Sequence, residues 1–389
     1  MTILDEFDDE VEASSPGLSR RTLVGKIADL VERAGLDPDD IGRINRVNLW
    51  QGMSKDDAGE PQVTDLVGVS LSPAWAEGPQ WPVVEQAPPT VVRPRKASVV
   101  KKPTGFQTAV ILPDIQIGYF RTPAGDLEPT HDEDALAIAL AITRDADPDR
   151  VVLVGDNLDF PELGKYRLSP AFRATMQAAI NRAETFAAEL RAAAPRARIE
   201  WIAGNHEERL PNYITDNAVA AFGLRRGNAL AEWPVLTVPY LCRFDDHGVD
   251  FLPGYPANRV WINERLKVVH GDKVSQGSTA HAYLSSERVS VIYGHIHRRE
   301  WAEQTRETHD GPRTIAAISP GCLCRVDGRV PSTKGGLDLD GQPLATVENW
   351  QQGLLVVAYE EGDGRFAPEM IPIHDGFATW RGRHYSLPS

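Results

Sequence analysis

Residues 151–159 read Val-Val-Leu-Val-Gly-Asp-Asn-Leu-Asp, an apolar run that ends in a glycine and a polar cluster. A short continuous apolar run is typical of a strand that is buried on both faces of a sheet. Similar apolar runs recur along the chain, and each of them is followed by Asp, Asn or His. The other runs are 109–112 before Asp114, 199–202 before Asn205, 266–269 before His270 and 289–292 before His295. Because ligands bind beyond the carboxyl ends of strands in α/β sheets, five such strand ends predict a metal site.

Helical patterns lie between the apolar runs, at Asp134 to Asp145 and at Pro170 to Ala194. This alternation predicts an α/β fold of the α+β sandwich type, with two packed mixed β-sheets flanked by helices. The metal site is expected at the carboxyl ends of the strands. The region from Gly353 to Ile373 is predicted to form strands that complete the second sheet.

The length of 389 residues suits one large domain and a smaller one. Changes in composition divide the chain into four predicted parts. They are a disordered acidic tail over 1–19, a small helix and hairpin module over 20–84, a proline-rich basic linker over 85–104, and a catalytic domain over 105–389. Within the last part, 209–265 is long enough for a cap over the site, and its aromatic residues either stack on a base or pack a core.

The small N-terminal module allows two interpretations. A second helix beginning at Asp37-Pro38 would give a helix-turn-helix. The commoner alternative is a packing or interaction module that binds a protein partner or the catalytic domain. A strand-like run from Val63 to Leu71 is expected to pair with the stretch around Val47 and Leu49.

The composition narrows the classes of function. A net charge of −14 argues against sequence-independent binding of duplex DNA. A nuclease stays possible, since bound cations invert the local charge of a site. Three cysteines argue against a disulfide framework. An acidic N-terminus with no long apolar stretch predicts a cytoplasmic protein without contact to a membrane.

The ordered motifs resemble the signature of the calcineurin-like metallophosphoesterase superfamily. That signature is Asp-x-His, Gly-Asp-x-x-Asp, Gly-Asn-His-(Asp/Glu), His and Gly-His-x-His. The matching stretches are Asp114-Ile115-Gln116, Gly155-Asp156-Asn157-Leu158-Asp159, Gly204-Asn205-His206-Glu207, His270-Gly271-Asp272 and Gly294-His295-Ile296-His297. The resemblance covers about residues 107–375, and the first 100 residues lie outside it.

The resemblance implies a centre of two divalent metal ions. Asp156 is expected to bridge both ions. Asp114, Gln116 and His297 would complete the site of one ion, and Asn205, His270 and His295 that of the other. The non-ligand His206 would face the leaving group, with Asp159 orienting it. Such a pair of ions activates a bridging hydroxide that attacks phosphorus in line.

The resemblance implies a phosphate ester as substrate, and the layout resembles the nuclease and nucleotide phosphodiesterase branches. We therefore expect phosphodiester hydrolysis in single-stranded DNA, another nucleic acid or a nucleotide. Asn157 and Arg209 are candidate substrate-binding residues. The alternatives are a phosphomonoesterase acting on proteins or small molecules, and a catalytically weakened scaffold protein.

Gln116 stands where the superfamily has histidine. An amide oxygen is neutral and a weaker metal ligand than imidazole. We expect one ion to bind less tightly, or the site to favour harder ions. Mn²⁺ is the first choice, with Mg²⁺, Fe²⁺ and Zn²⁺ as alternatives.

Overall fold

A computed structural model describes residues 20–36, 41–73, 105–164, 170–227, 229, 232–275, 277–331, 338, 342 and 347–387. The predicted acidic tail over 1–19 and the predicted linker over 85–104 lie outside these residues. The chain divides into two compact units, Met1–Ser98 and Val99–Ser389.

The described residues form seven α-helices, three short 3-10 turns and seventeen strands. The helices are α1 (Arg20–Arg33), α2 (Glu133–Ala146), α3 (Met176–Ala193), α4 (Arg209–Asn217), α5 (Val238–Leu241), α6 (Phe244–His247) and α7 (Thr279–Ser286). The 3-10 turns are Pro161–Leu163, Pro170–Phe172 and Val219–Ala221. The strands are β1 (Ile41–Lys55), β2 (Pro61–Pro73), β3 (Gln107–Leu112), β4 (Tyr119–Arg121), β5 (Leu127–Pro129), β6 (Arg150–Leu153), β7 (Arg198–Ile202), β8 (Val249–Leu252), β9 (Val260–Asn263), β10 (Leu266–Val269), β11 (Ser290–Tyr293), β12 (Arg299–Thr308), β13 (Gly311–Pro320), β14 (Gln352–Tyr359), β15 (Phe366–Ile373), β16 (Phe377–Trp380) and β17 (Arg383–Ser386).

The first unit contains α1 and a hairpin of β1 and β2. The two strands are antiparallel, with Val47 opposite Val69 and Leu49 opposite Val67. Asp56 closes the turn between them, because its side chain accepts hydrogen bonds from the backbone of Ala58 at 2.9 Å. The second helix considered at Asp37-Pro38 would begin in residues 37–40, which lie outside the described part, and strand β1 begins at Ile41.

The second unit is built on two mixed sheets. The six-stranded sheet has the order β15-β14-β3-β6-β7-β8, and the five-stranded sheet has the order β12-β13-β11-β10-β9. The strands β3, β6, β7 and β8 are parallel, as are β10, β11 and β13. Gly353 to Ile373 form strands as predicted, but they extend the sheet that contains β3 instead of completing a second one, because β14 pairs antiparallel with β3.

The apolar core lies in layers. One buried cluster joins the facing sides of the two sheets, from Ile111 and Val152 to Val268 and Ile318. Helices α2 and α3 pack on the outer face of the six-stranded sheet, and α7 packs on the outer face of the five-stranded one. Burial on both faces explains why the core strands are continuously apolar in sequence.

The mixed α/β class predicted from the sequence is confirmed, with several mixed sheets and helices on their faces. The cap predicted for 209–265 is too long, because β8 and β9 belong to the two sheets. The described residues of 209–248 lie outside both sheets, and a cap in this stretch stays a prediction. Among the helices of the described ranges, none is long and apolar enough to span a bilayer.

Candidate metal centre

The polar residues predicted as ligands follow the carboxyl ends of five strands. Asp114 follows β3, Asp156 follows β6 and Asn205 follows β7, all in the six-stranded sheet. His270 follows β10 and His295 follows β11, in the five-stranded sheet. These strand ends are not consecutive, because β8 and β9 lie between β7 and β10. The candidate site therefore draws on both sheets rather than on one.

The backbone at this point is unusual. Eleven non-glycine residues of the described part have positive φ angles, and five of them are candidate ligands. The five are Asp114 (38°), Gln116 (53°), Asp156 (50°), His295 (70°) and His297 (55°). The left-handed region costs free energy for residues with a Cβ, and it is enriched at functional sites. Left-handed backbone therefore coincides with five of the seven candidate ligands.

The Asp156 cluster, consisting of Asp156, Asn205, His270 and His295, is the first group of donors. The Nε2 atom of His270 lies 3.3 Å from Asp156 Oδ2 and 3.1 Å from Asn205 Oδ1. One donor atom each of Asp156, His270 and His295 lies within 4.8 Å of the others. His270 Nδ1 is 3.1 Å from the carbonyl of Val154, so that hydrogen bond orients its ring.

The Asp114 cluster, consisting of Asp114, Gln116 and His297, is the second group. The Nε2 atom of His297 lies 3.3 Å from Asp114 Oδ1 and 3.2 Å from the amide nitrogen of Gln116. The amide thus presents its nitrogen to the ring. A metal ion in this cluster would need the carbonyl oxygen of Gln116, which requires the amide to rotate by half a turn.

Charge in the Asp156 cluster favours a cation. Burial alone would raise the pKa of the Asp156 carboxyl, but the rings of His206 and His270 outweigh it and lower that pKa. Burial also acts to lower the pKa of His270, yet Asp156 raises it to about 9. Burial and the neighbouring His270 lower the pKa of His295. The carboxylate thus stabilises positive charge among these side chains.

Glycines bring the backbone close to the two carboxylates. Gly155 has a φ of 106°, which fits a sharp turn before Asp156. Gly204 and Gly294 differ, because a Cβ atom there would overlap Asp156 Oδ1 and Asp114 Oδ2 respectively. Their role is close packing against the carboxylates.

Glu207 is a buried residue to which the sequence assigned no role. Its carboxylate accepts hydrogen bonds from the backbone N–H groups of Asp156, Asn157, Leu158 and Gly204 at 2.8 to 3.2 Å. The indole of Trp201 adds a fifth donor at 3.3 Å. Glu207 thereby ties the loop after β6 to the loop after β7. Its place in Gly-Asn-His-Glu was the signal that could have identified it.

His206 and Asp159 are adjacent, as the resemblance implies. His206 Nδ1 lies 3.1 Å from Asp159 Oδ1, and His206 Nε2 lies 3.6 Å from Asp156 Oδ2. The guanidinium of Arg209 donates to the Asp159 carbonyl at 2.5 Å. Arg209 therefore supports Asp159, and its proposed contact with substrate stays a prediction. Asn157 is fully buried, with both polar atoms of its side chain unpaired within the described residues.

Two further polar side chains of the second unit, His131 and Asp132, are engaged in structural hydrogen bonds. His131 lies 3.0 Å from the carbonyl of Gly118 and 2.8 Å from Glu133 through its two ring nitrogens, so neither nitrogen is available to the site. Asp132 caps α2 by accepting from the backbone N–H of Ala135.

Two neighbouring cysteines, Cys322 and Cys324, lie beside His297 of the Asp114 cluster. Cys322, Cys324 and His297 are buried, and their donor atoms lie within 4.8 Å of one another. Cys324 Sγ is 3.9 Å from His297 Nδ1, on the side of the ring away from Asp114. Burial raises the pKa of the Cys324 thiol well above its usual range, so the thiol stays protonated.

Comparison with known proteins adds two phage relatives. The chain is 27% identical to the Gene 54 protein of Mycobacterium phage D29 over 259 residues, which is 64% of this chain and 91% of the relative. It is 25% identical to the Gene 54 protein of Mycobacterium phage L5 over 282 residues, which is 67% of this chain and 95% of the relative. Models of known protein families give no match. The chain is therefore similar to these phage proteins, whose names carry no activity.

Proposed function

We propose that this chain is a metal-dependent phosphoesterase that binds two divalent ions and hydrolyses phosphodiester bonds of a nucleic acid or nucleotide. One observation carries the proposal. Seven side chains from two sheets meet as two donor clusters, and five of them have strained left-handed backbones. Strain of this kind is retained where surrounding structure holds side chains in place for a function.

The donors suit divalent metal ions. Carboxylate, imidazole and amide groups are ligands of Mn²⁺, Mg²⁺, Fe²⁺ and Zn²⁺. Asp114 Oδ2 and His295 Nδ1 are buried and have no hydrogen-bond partner among the described residues. Leaving such atoms unpaired costs about 1–3 kcal/mol each, which a bound ion would offset. Bound ions would polarise a phosphate ester and lower the pKa of water.

His206 is suited to protonate the leaving oxygen. Its Nδ1 atom faces Asp159, so Nε2 is the atom directed at Asp156 and the donor clusters. The adjacent Asp159 carboxylate would hold the ring in this orientation. Arg209 in turn binds the carbonyl of Asp159. His206 would therefore hold a proton at Nε2 when it is charged, within reach of a substrate on the ions.

The test is hydrolysis by the full chain after chelation and restoration of single metals. We expect hydrolysis of bis-p-nitrophenyl phosphate and single-stranded DNA to return with Mn²⁺, and faster than that of p-nitrophenyl phosphate. Asp156→Asn should be inactive. Asp126→Asn is the matched control, because Asp126 is exposed and outside both clusters.

Two results would redirect the proposal. Faster hydrolysis of the monoester would favour the phosphomonoesterase alternative. Metal binding without hydrolysis of any of the three substrates would favour the scaffold alternative, in which Gln116 has weakened the site.

A further inference from the structure

A second charged site lies at the opposite end of the same strands. Four arginines line a cavity of about 210 Å³, and they are Arg265, Arg288, Arg313 and Arg365. Arg265 precedes β10 and Arg288 precedes β11, whereas His270 and His295 follow those strands. At about 3.3 Å per residue, five residues separate Arg265 from His270 by roughly 16 Å. The cavity is therefore separate from the candidate metal centre.

The cavity carries more positive charge than its bonded carboxylates neutralise. Arg265 binds Asp363 through two bonds of 2.5 and 2.8 Å, and Arg313 reaches the same carboxylate at 3.4 Å. Arg365 binds Glu360 at 2.6 and 2.9 Å. Four guanidinium groups against two carboxylates leave two positive charges over. The cavity therefore has a local excess of positive charge in a chain whose net charge is −14.

Arg288 is the group that is open to a ligand. Its side chain is exposed and makes no hydrogen bond or ion pair to the described residues. Arg313 contacts Asp363 only at 3.4 Å, so most of its N–H donors have no partner among the described residues. Guanidinium groups pair with phosphate through two parallel N–H bonds, which makes arginine the preferred side chain for this anion.

We propose that this cavity binds a phosphate dianion, either as free phosphate or as the phosphate group of a small ester. The dianion would neutralise the surplus of two charges and supply acceptors to Arg288 and Arg313. Phe366 also lines the cavity and offers an apolar face to whatever carries the phosphate. The proposal does not depend on the metal centre or on phosphoesterase activity.

The test is isothermal titration of the chelated, metal-free full chain in chloride buffer, so that metal-bound phosphate is excluded. One arm uses inorganic phosphate and the other a nucleoside monophosphate. We expect one saturable site per chain in at least one arm, with affinity falling as salt is added. Equal affinity in both arms would indicate recognition of the phosphate alone, and tighter binding of the ester would indicate a contribution from Phe366.

Arg288→Gln is the main variant, since Arg288 has no partner within the described residues and its loss should leave folding unchanged. We expect phosphate affinity to fall by about tenfold, the effect of losing one charge-assisted contact. Arg196→Gln is the control. It removes the same charge from an exposed arginine that pairs with Asp147, and neither residue lines the cavity. The control should bind phosphate as the unmodified protein does.

Asp363→Asn provides a test of opposite sign. It removes the carboxylate that competes for Arg265 and Arg313, so phosphate should bind more tightly. Unchanged affinity in Arg288→Gln, an equal loss in Arg196→Gln, or weaker binding by Asp363→Asn would each overturn the proposal. The absence of saturable binding at millimolar concentrations in both arms would overturn it as well.

Discussion

The two donor clusters of the candidate metal centre are not equivalent. The Asp156 cluster has two imidazoles, a carboxylate and an amide oxygen, and the Asp114 cluster has one imidazole, a carboxylate and the amide of Gln116. The clusters also differ in their surroundings. His270 is oriented by the carbonyl of Val154, whereas His297 faces the thiol of Cys324 at 3.9 Å. The Asp156 cluster therefore has one more imidazole than the Asp114 cluster, and its His270 is oriented by a backbone carbonyl. On this comparison the Asp156 cluster is expected to be the stronger set of metal ligands.

The largest effect should come from Asp156, which tests whether the clusters share a ligand. Asp156→Asn removes the charge that stabilises a cation, so activity should be abolished. If Asp156 bridges, both ions should be lost, and metal analysis by mass spectrometry would show this. Asp114→Asn is the parallel variant and should lose only one ion. Retention of two ions and near-normal turnover in Asp156→Asn would exclude the bridging role.

His206 belongs to neither cluster, so its replacement should separate rate from metal content. His206→Ala should lower turnover by roughly 10²–10⁴-fold, the range for general acid–base groups. Metal content should stay the same. His131→Ala is a poor control because His131 is buried and hydrogen-bonded, so exposed His281→Ala serves instead. Loss of one ion from His206→Ala would mean that His206 is a ligand.

Gln116→His should reduce the difference between the clusters. It gives the Asp114 cluster a second imidazole on a backbone that is already left-handed. We expect the Mn²⁺ concentration for half-maximal activity to fall by roughly tenfold, at the low end of effects at metal sites. Maximal turnover need not rise. A titration of activity with Mn²⁺, with metal content measured in parallel, makes the comparison. Identical titrations for both proteins would show that residue 116 does not contact metal.

Cys324→Ser should have the smallest effect. At 3.9 Å its thiol makes a weak contact with His297 Nδ1, so the loss of Mn²⁺ affinity should stay below about tenfold. The effect should fall on the more weakly bound ion only. Cys242→Ser is the control, since Cys242 is buried in the apolar core and belongs to neither cluster. An equal effect on both ions would show that the thiol does not distinguish the clusters.

The sequence by itself determined the elements that are continuous along the chain. Five apolar runs became buried strands, and the helices predicted from Asp134 and within Pro170 to Ala194 are α2 and α3. The ordering of the polar residues after these strands was also visible. Local patterns carry this information because burial on both faces, helical periodicity and N-capping each depend on neighbouring residues.

Only the tertiary structure decided which strands share a sheet and which side chains meet. β14 joined β3 across more than 240 residues, and β8 and β9 entered two different sheets, because pairing between distant strands leaves no local pattern. The same holds for Glu207 beneath the loop after β6 and for Cys324 beside His297. The four arginines of the cavity are spread over residues 265–365, three of them just before a strand and Arg313 within β13, so only the folded chain brings their charges together.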